Sequence, residues 1–415
     1  MPAVSPPADH LTAAEQQRGR RLAYASHPFG MTYRTALVGD LATQALVTLG
    51  ASARAVGAQA GLVGAAALVQ LPALALLERT SKRRLLLSMQ LVALLTALPL
   101  LAFDWLRGLG AALAVPVALA TLALTTLALT AGSTAWWPLL HGFVPPERTG
   151  RFFAALRSLW HVMLIAFFLG CRAWLAEHPG GFGALFAVAW GCGLARVLLL
   201  LFFPERREQR VLGAGEAARH IRAAPALRRY LRGVTLNEVV YRALPPFTIL
   251  LLRRDAGLSE AQVLALTLAT FVGGFLALVP AGRLSDRFGA GPVLLATCVL
   301  RGALIAGLAL AVATLQGAPL LAACASLFLG WSFLQSAFGV AEVKVLFALA
   351  GDSPSGVIVV SVVFRSVVAG LCALGSGALL ALLRDAGVPT LPLYVGFFLL
   401  LAALQALAAL PLRRS

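Results

Sequence analysis

Charge is scarce in this chain. Asp, Glu, Lys and Arg make up 12% of its 415 residues, where a soluble domain carries about a quarter. With 60% apolar residues and a mean hydropathy of +0.85, a soluble globular domain is excluded and an integral membrane protein is implied. Lysine is almost missing, with only Lys82 and Lys344 present, so the net charge of +17 is carried by arginine. In a soluble protein such a balance would suggest nucleic acid, but here the arginines have to be judged by their position relative to the bilayer. The five cysteines, Cys171, Cys192, Cys298, Cys324 and Cys372, all fall inside apolar runs, without a C-x-x-C pair or a histidine at ligand spacing. Disulfide and metal readings are therefore disfavoured. The first thirty residues contain Arg18, Arg20 and Arg21 but no apolar h-region after them, so no cleaved signal peptide is expected, and no lipidation signal is expected at either end. There is no G-x-x-x-x-G-K-[ST], H-E-x-x-H or G-x-S-x-G motif, which argues against ATP hydrolysis, intramembrane hydrolysis, a cofactor and enzymatic activity in general.

What the chain has in quantity is long apolar runs. A spanning helix needs roughly 20 mainly apolar residues, and twelve such runs are expected at 31–50, 54–77, 84–104, 110–141, 152–176, 182–203, 230–252, 261–281, 291–314, 319–350, 357–383 and 389–411. They are numbered spans 1 to 12. The fold class is thus all-α integral membrane, with tails at 1–30 and 412–415, six-helix halves at 31–203 and 230–411, and a linker at 204–229. Loops from even to odd spans, with the tails, hold most of the basic residues, among them Arg79, Lys82, Arg83, Arg84, Arg148, Arg151, Arg206, Arg207, Arg283 and Arg287. The opposite loops hold only Arg54, Arg107, Arg253, Arg254 and Arg384. The positive-inside rule then puts both termini in the cytoplasm. The Arg- and Ala-rich linker reads equally as an amphipathic helix on the inner leaflet, drawn to anionic lipid, or as a solvated connector.

The halves repeat. Pro72 to Glu78-Arg79 has the anatomy of Pro280 to Asp286-Arg287 at an offset of 208, and Arg34-x5-Asp40 matches Arg232-x5-Glu238 at 198. From Glu78 to Arg157 is 79 residues, as it is from Asp286 to Arg365, and both arginines precede a serine. A tandem six-plus-six repeat in parallel orientation accounts for all three agreements.

At these residues the chain resembles the major facilitator superfamily over nearly its whole length. Gly282, Asp286, Arg287 and Gly289 match the family's G-x-x-x-D-R-x-G-R-[KR] element as echoed between spans 8 and 9, with Ala290 and Gly291 in place of its basic pair. The copy between spans 2 and 3 is more eroded: Leu74 and Ser81 replace glycines and Glu78 replaces Asp, while Arg79 is kept. Pro145 to Arg151 looks like the family's P-x-x-x-R-G-R element, interrupted by Thr149. The resemblance implies two halves rocking about a cavity lined by spans 1, 4, 7 and 10 together with 2, 5, 8 and 11.

Two sets of site residues follow. At the inner helix ends, an acid and an arginine can pair as a conformational latch. The expected pairs are Asp286 with Arg365 and Glu78 with Arg157, Asp286 being the stronger gate, and the alternative is that all four snorkel separately to the headgroups. Within the spans each ionisable residue is a functional candidate: Arg34 and Asp40 in span 1, Glu238 and Arg242 one turn apart in span 7, and Glu342 and Lys344 in span 10. A carboxylate withdrawn from water can hold a coupled proton, for which Asp40 and Glu238 are first candidates; equally, they could be structural partners of Arg34, Arg242 or Arg301. Arg172, Arg196 and Arg384 are expected to snorkel. The hydroxyl and aromatic face of span 4, with Trp136 and Trp137, and Gln335 in span 10 are candidate solute contacts, against a plain packing role for the hydroxyls.

The expectation is a secondary transporter of a small solute working by alternating access, a proton being the candidate co-substrate. Its partners are the solute and membrane lipid, not nucleic acid, and it is read as a monomer of the inner or plasma membrane. A facilitated uniporter or exchanger, a non-transporting receptor on the same scaffold, and a lipid-modifying enzyme are the alternatives. The residues leave organic anions, sugars, zwitterions and hydrophobic drugs all open as substrates.

Overall fold

The computed structural model describes residues 11–77, 79–141, 143–144, 149–205, 214–350 and 354–413, and no strand occurs among them. Eight helices are individually long and apolar enough to cross a bilayer, and a ninth arises if the pair Glu260–Leu276 and Leu278–Phe288, bent by 45°, is one span. Spans 1, 3 and 7 complete the twelve. Spans 1 and 3 are broken into shorter helices, and span 7, Pro225–Arg254, carries Arg232, Glu238 and Arg242 in its middle.

Span 1 is longer than expected. Its helix runs from Ala13 to Val38, closed at its start by a capping box between Thr12 and Glu15, so Ala13 to Gly30 is helix and not a tail. The apolar ruler misses this extension because its residues are mixed, yet it is well packed. Gly19 leaves room for the Phe143 ring, Arg20 donates to the Phe143 carbonyl at 2.7 Å, and Tyr24 lies 4.9 Å from Phe152. The span then breaks at Gly39 (φ −101°, ψ −152°) and restarts as Asp40–Thr48. Gln59 of span 2 bridges the break, taking a hydrogen bond from Thr43 at 3.0 Å and donating to the Val38 carbonyl at 3.5 Å. Asp40 thereby occupies the first turn of a new helix, where the unpaired N–H groups favour negative charge.

The linker holds a helix, Ala214–Ala223, with Arg219, His220 and Arg222 exposed and Ile221 turned to the core around Leu227. Residues 206–213 lie outside the described residues.

The halves are joined asymmetrically. On the face away from the termini, one apolar core runs through both halves, including Leu46, Phe103 and Phe182 together with Phe247, Leu264 and Phe398. On the terminus-bearing face, called the basic face below, the core divides. One cluster around Trp136, Leu140 and Phe203 belongs to the first half, and another around Tyr230, Phe338 and Leu412 belongs to the second. Spans 2 and 11 meet across the join at glycines: a Cβ on Gly57 would lie 2.8 Å from the Gly377 Cα, and one on Gly64 would lie 2.4 Å from the Ser366 carbonyl oxygen. Such small-residue seams let helix backbones approach closely in a bilayer, where apolar side chains gain little by leaving lipid. Gly370 and Gly377 supply the span 11 side of this seam.

Candidate functional site

Every hydrogen bond and ion pair that joins the two halves between described residues lies at mid-depth or on the opposite face. Glu260, buried at the start of span 8, accepts from Thr48 Oγ1 at 2.7 Å and from the Gly180 N–H at 2.8 Å, both in the first half, and from Arg253 of its own half at 2.9 Å. Arg54 and Asp385, both exposed, also pair across the halves at 3.0 Å. Deeper, Asp40 accepts from Thr267 Oγ1 of span 8 at 2.8 Å. Among the described residues, polar contacts therefore join the halves on the opposite face and none does so on the basic face. A cleft of 520 Å³ on the basic face, lined in part by Arg18, Arg83, Arg84 and Glu205, lies away from these residues.

The other interior carboxylates are also engaged. Glu238 accepts from Arg242 Nε at 2.9 Å, as their spacing of one turn suggested. Glu342 pairs with Arg365 of span 11, and Lys344 pairs with Asp286. Being two residues apart on span 10, Glu342 and Lys344 address different neighbours. In the state described, Asp286 and Arg365, expected to pair with each other, each have a partner on span 10. Asp286 sits at the exposed end of the bent span 8, within reach of the flexible lysine, whereas Arg365 is mostly buried beside Glu342. Glu78 lies outside the described residues, as do the side chains of Arg151 and Trp137, so the pairing of Glu78 with Arg157 has no counterpart to report. Arg157 forms no ion pair among the described residues, though Glu342 across the join is within electrostatic reach. Arg79 is exposed, and Arg287 lies over the Phe288 ring at 5.2 Å. Gly289 ends span 8 at φ +83°, a conformation only glycine takes freely, while a Cβ on Gly282 would meet nothing.

Of the arginines expected to snorkel, one departs from that expectation. Arg172 is exposed, and Arg384 pairs with Asp255 at 3.1 Å. Arg196 does not snorkel. It is 8% exposed, its guanidinium lies 4.8 Å from the Trp136 ring centroid, and a Cβ on Gly30 would come within 1.6 Å of one of its terminal nitrogens. The bare backbone of span 1 at Gly30 makes the room that draws this arginine inward. Trp136 also stacks on His27, at 5.4 Å and 3°. The second half holds a related arrangement. Arg301, fully buried, donates to Asn237 Oδ1, which also accepts from Gln405 at 3.2 Å, and it lies 4.8 Å from the Trp331 ring, itself stacked on Tyr241 at 5.6 Å and 10°. Gln335 is half-buried with its carbonyl oxygen unpartnered. Arg34 is half-buried, with one long hydrogen bond, 3.5 Å, to the Leu129 carbonyl, whereas its counterpart in the repeat, Arg232, is exposed.

Sequence reasoning missed Glu260, His27, Trp160, Asn237, Tyr241 and Thr267. Glu260 follows Ser259 in a capping box with Gln262 and reads locally as an ordinary first-turn acid. Only the fold brings Thr48 and Gly180 to it.

Twelve spans in two halves, closed at one face around a charged interior, define a polytopic transporter. The family model of the Major Facilitator Superfamily matches residues 23–346, and the chain belongs to that family. It is a secondary transporter of small solutes and not an enzyme. Similar solved structures include a D-xylose-proton symporter (TM-score 0.70, 16% identity, covering 95% of this chain and 97% of that one). A variant of the nucleoside transporter NupG (0.69, 11%, 96% and 98%) and a bacterial metal transporter (0.66, 15%, 96% and 97%) are also similar. At these identities the likeness establishes the shared fold. A search of curated proteins finds no match.

Proposed function

We propose that the chain is a proton-coupled transporter of the inner membrane, monomeric, with both termini cytoplasmic and with its cavity opening to the cytoplasm in the state described. The positive-inside bias supports this orientation, since the divided core and the basic loops share a face. The observation that carries the coupling is the bond from Thr267 to Asp40. It is the mid-depth bond between the halves, and its acceptor is a titratable group at a helix break. Asp40 also lies within electrostatic reach of the Tyr241 hydroxyl on span 7. Proton uptake at Asp40 removes the charge that holds the Thr267 hydroxyl and alters the balance between the states open to either side. Glu238, tied to Arg242, is the lesser candidate. Glu342 with Arg365 and Asp286 with Lys344 hold span 10 against spans 11 and 8 within the second half, so the basic end of that half moves as one body. Arg157, opposite Glu342 across the join, is positioned to engage it when the basic face closes.

The reading is tested without knowledge of the solute. In a background lacking the five cysteines, Tyr241→Cys is labelled with a membrane-impermeant maleimide from the cytoplasmic side of inverted vesicles. Measured relative to an exposed reference cysteine, which cancels the thiol's own pH-dependent reactivity, labelling is expected to change between acid and alkaline buffer, and to lose that change in Asp40→Asn. An unchanged pH response in Asp40→Asn sinks the coupling role, and labelling only from the opposite side sinks the orientation.

A further inference from the structure

The interior of the first half is rich in donors and poor in acceptors. Arg34 has a single long bond to a carbonyl, and Arg196 has none among the described residues. The two guanidinium groups lie within electrostatic reach of each other, with Arg242 as a further cation nearby. The indole N–H groups of Trp136 and Trp160 are buried without acceptors, as are Arg196 Nε and His27 Nδ1. These groups are neighbours: the His27 ring lies 5.4 Å from Trp136 and 6.3 Å from Trp160, and Arg196 lies on Trp136. The interior carboxylates Asp40 and Glu238 are engaged elsewhere, by Thr267 and Arg242. A buried cation without a counter-ion costs several kcal/mol, and unpaired buried donors add to that cost. Arg196, buried in a notch made by Gly30, and Arg34, half-buried and within electrostatic reach of it, leave donors free for an acceptor from outside the chain.

We propose that Arg34 and Arg196 form the binding site for a small oxyanion, a carboxylate or phosphate, whose oxygens also accept from the Trp136 and Trp160 indole N–H groups. This rests on the chain being a transporter whose cavity reaches these residues. The guanidinium fork suits two oxygens of one anionic group, and the indoles supply both the remaining donors and a flat wall. A soluble anion and a lipid headgroup carry the same chemistry, so both sources belong in the test.

The test is thermal unfolding of the purified full-length protein with inorganic phosphate, benzoate or a short-chain phosphatidate, and with benzamide as the neutral counterpart of benzoate. At least one oxyanion is expected to raise the Tm, and benzamide is not. Stabilisation by phosphate or benzoate assigns a soluble anion; stabilisation by phosphatidate alone assigns a lipid headgroup. Arg34→Gln and Arg196→Gln are expected to weaken the effect about ten- to hundredfold in concentration, and the exposed Arg172→Gln leaves it unchanged. If no oxyanion stabilises more than benzamide does, or if both glutamine variants respond like the parent, the site is wrong. Without ligand, Arg34→Gln is expected to unfold at or above the parent Tm, because it relieves repulsion; a clear drop makes the arginine structural and overturns the proposal. The labelling response at Tyr241 is measured with no anion present, so that reading and this one fail separately.

Discussion

Replacing Glu260 by glutamine is the sharpest perturbation of the closed face. In the parent, one carboxylate oxygen accepts from both Thr48 and Arg253, and the other accepts from the Gly180 N–H. A glutamine can keep its oxygen on Thr48 and Arg253 only by turning its NH2 toward the Gly180 N–H, donor against donor. At least one charge-assisted bond across the halves is lost, worth about 1.5–3 kcal/mol, and the attraction to Arg253 weakens as well. The closed state thus loses about ten- to 150-fold in population against the state open on this face. The assay is double electron–electron resonance between spin labels at Ala112 and Ala386, exposed positions of the two halves near this face. The account predicts a longer-distance population in Glu260→Gln that is minor or missing in the parent. Identical distance distributions would refute the assignment of Glu260 as the tie between the halves.

Gly64→Val pushes a side chain into the span 11 backbone at Ser366 and Gly370, and is expected to open the same face or to lower the Tm by several degrees, whereas Gly282→Val, in open space, changes neither. The two ion pairs of span 10 differ in burial. Lys344→Gln, breaking a pair whose side chains are 44% and 74% exposed, costs at most about 1 kcal/mol. Arg365→Gln leaves Glu342 unpaired where the two side chains are 20% and 13% exposed, and costs about 3 kcal/mol or more. Denaturation in detergent should therefore rank Arg365→Gln well below Lys344→Gln; equal losses contradict the burial argument.

The architecture was legible because a bilayer leaves a coarse mark: long apolar runs, basic loops on one side and a repeat offset that survives in sequence. The intramembrane charges were legible for the same reason, since Asp40, Glu238 and Glu342 stand out against apolar neighbours, and the pairing of Glu238 with Arg242 followed from helical spacing. What failed to show were partners chosen by the fold. Nothing in the spacing of Asp286 and Arg365 reveals that Lys344 and Glu342 stand closer to each. Arg196 read as a helix-end residue because the notch that admits it belongs to Gly30, far away in sequence. The break at Gly39 lies inside a single run long enough to read as one span, and the helical extension from Ala13 was hidden by its polarity.

The central claim, that transport by this chain is coupled to a proton bound at Asp40, is tested most directly by solute flux into proteoliposomes under an imposed proton gradient. The solute is whichever oxyanion raises the Tm, and the parent is compared with Asp40→Asn. The account predicts accumulation in the parent that collapses with a protonophore, and equilibration without accumulation in Asp40→Asn. Accumulation that is equal in the two proteins and indifferent to the protonophore would contradict it.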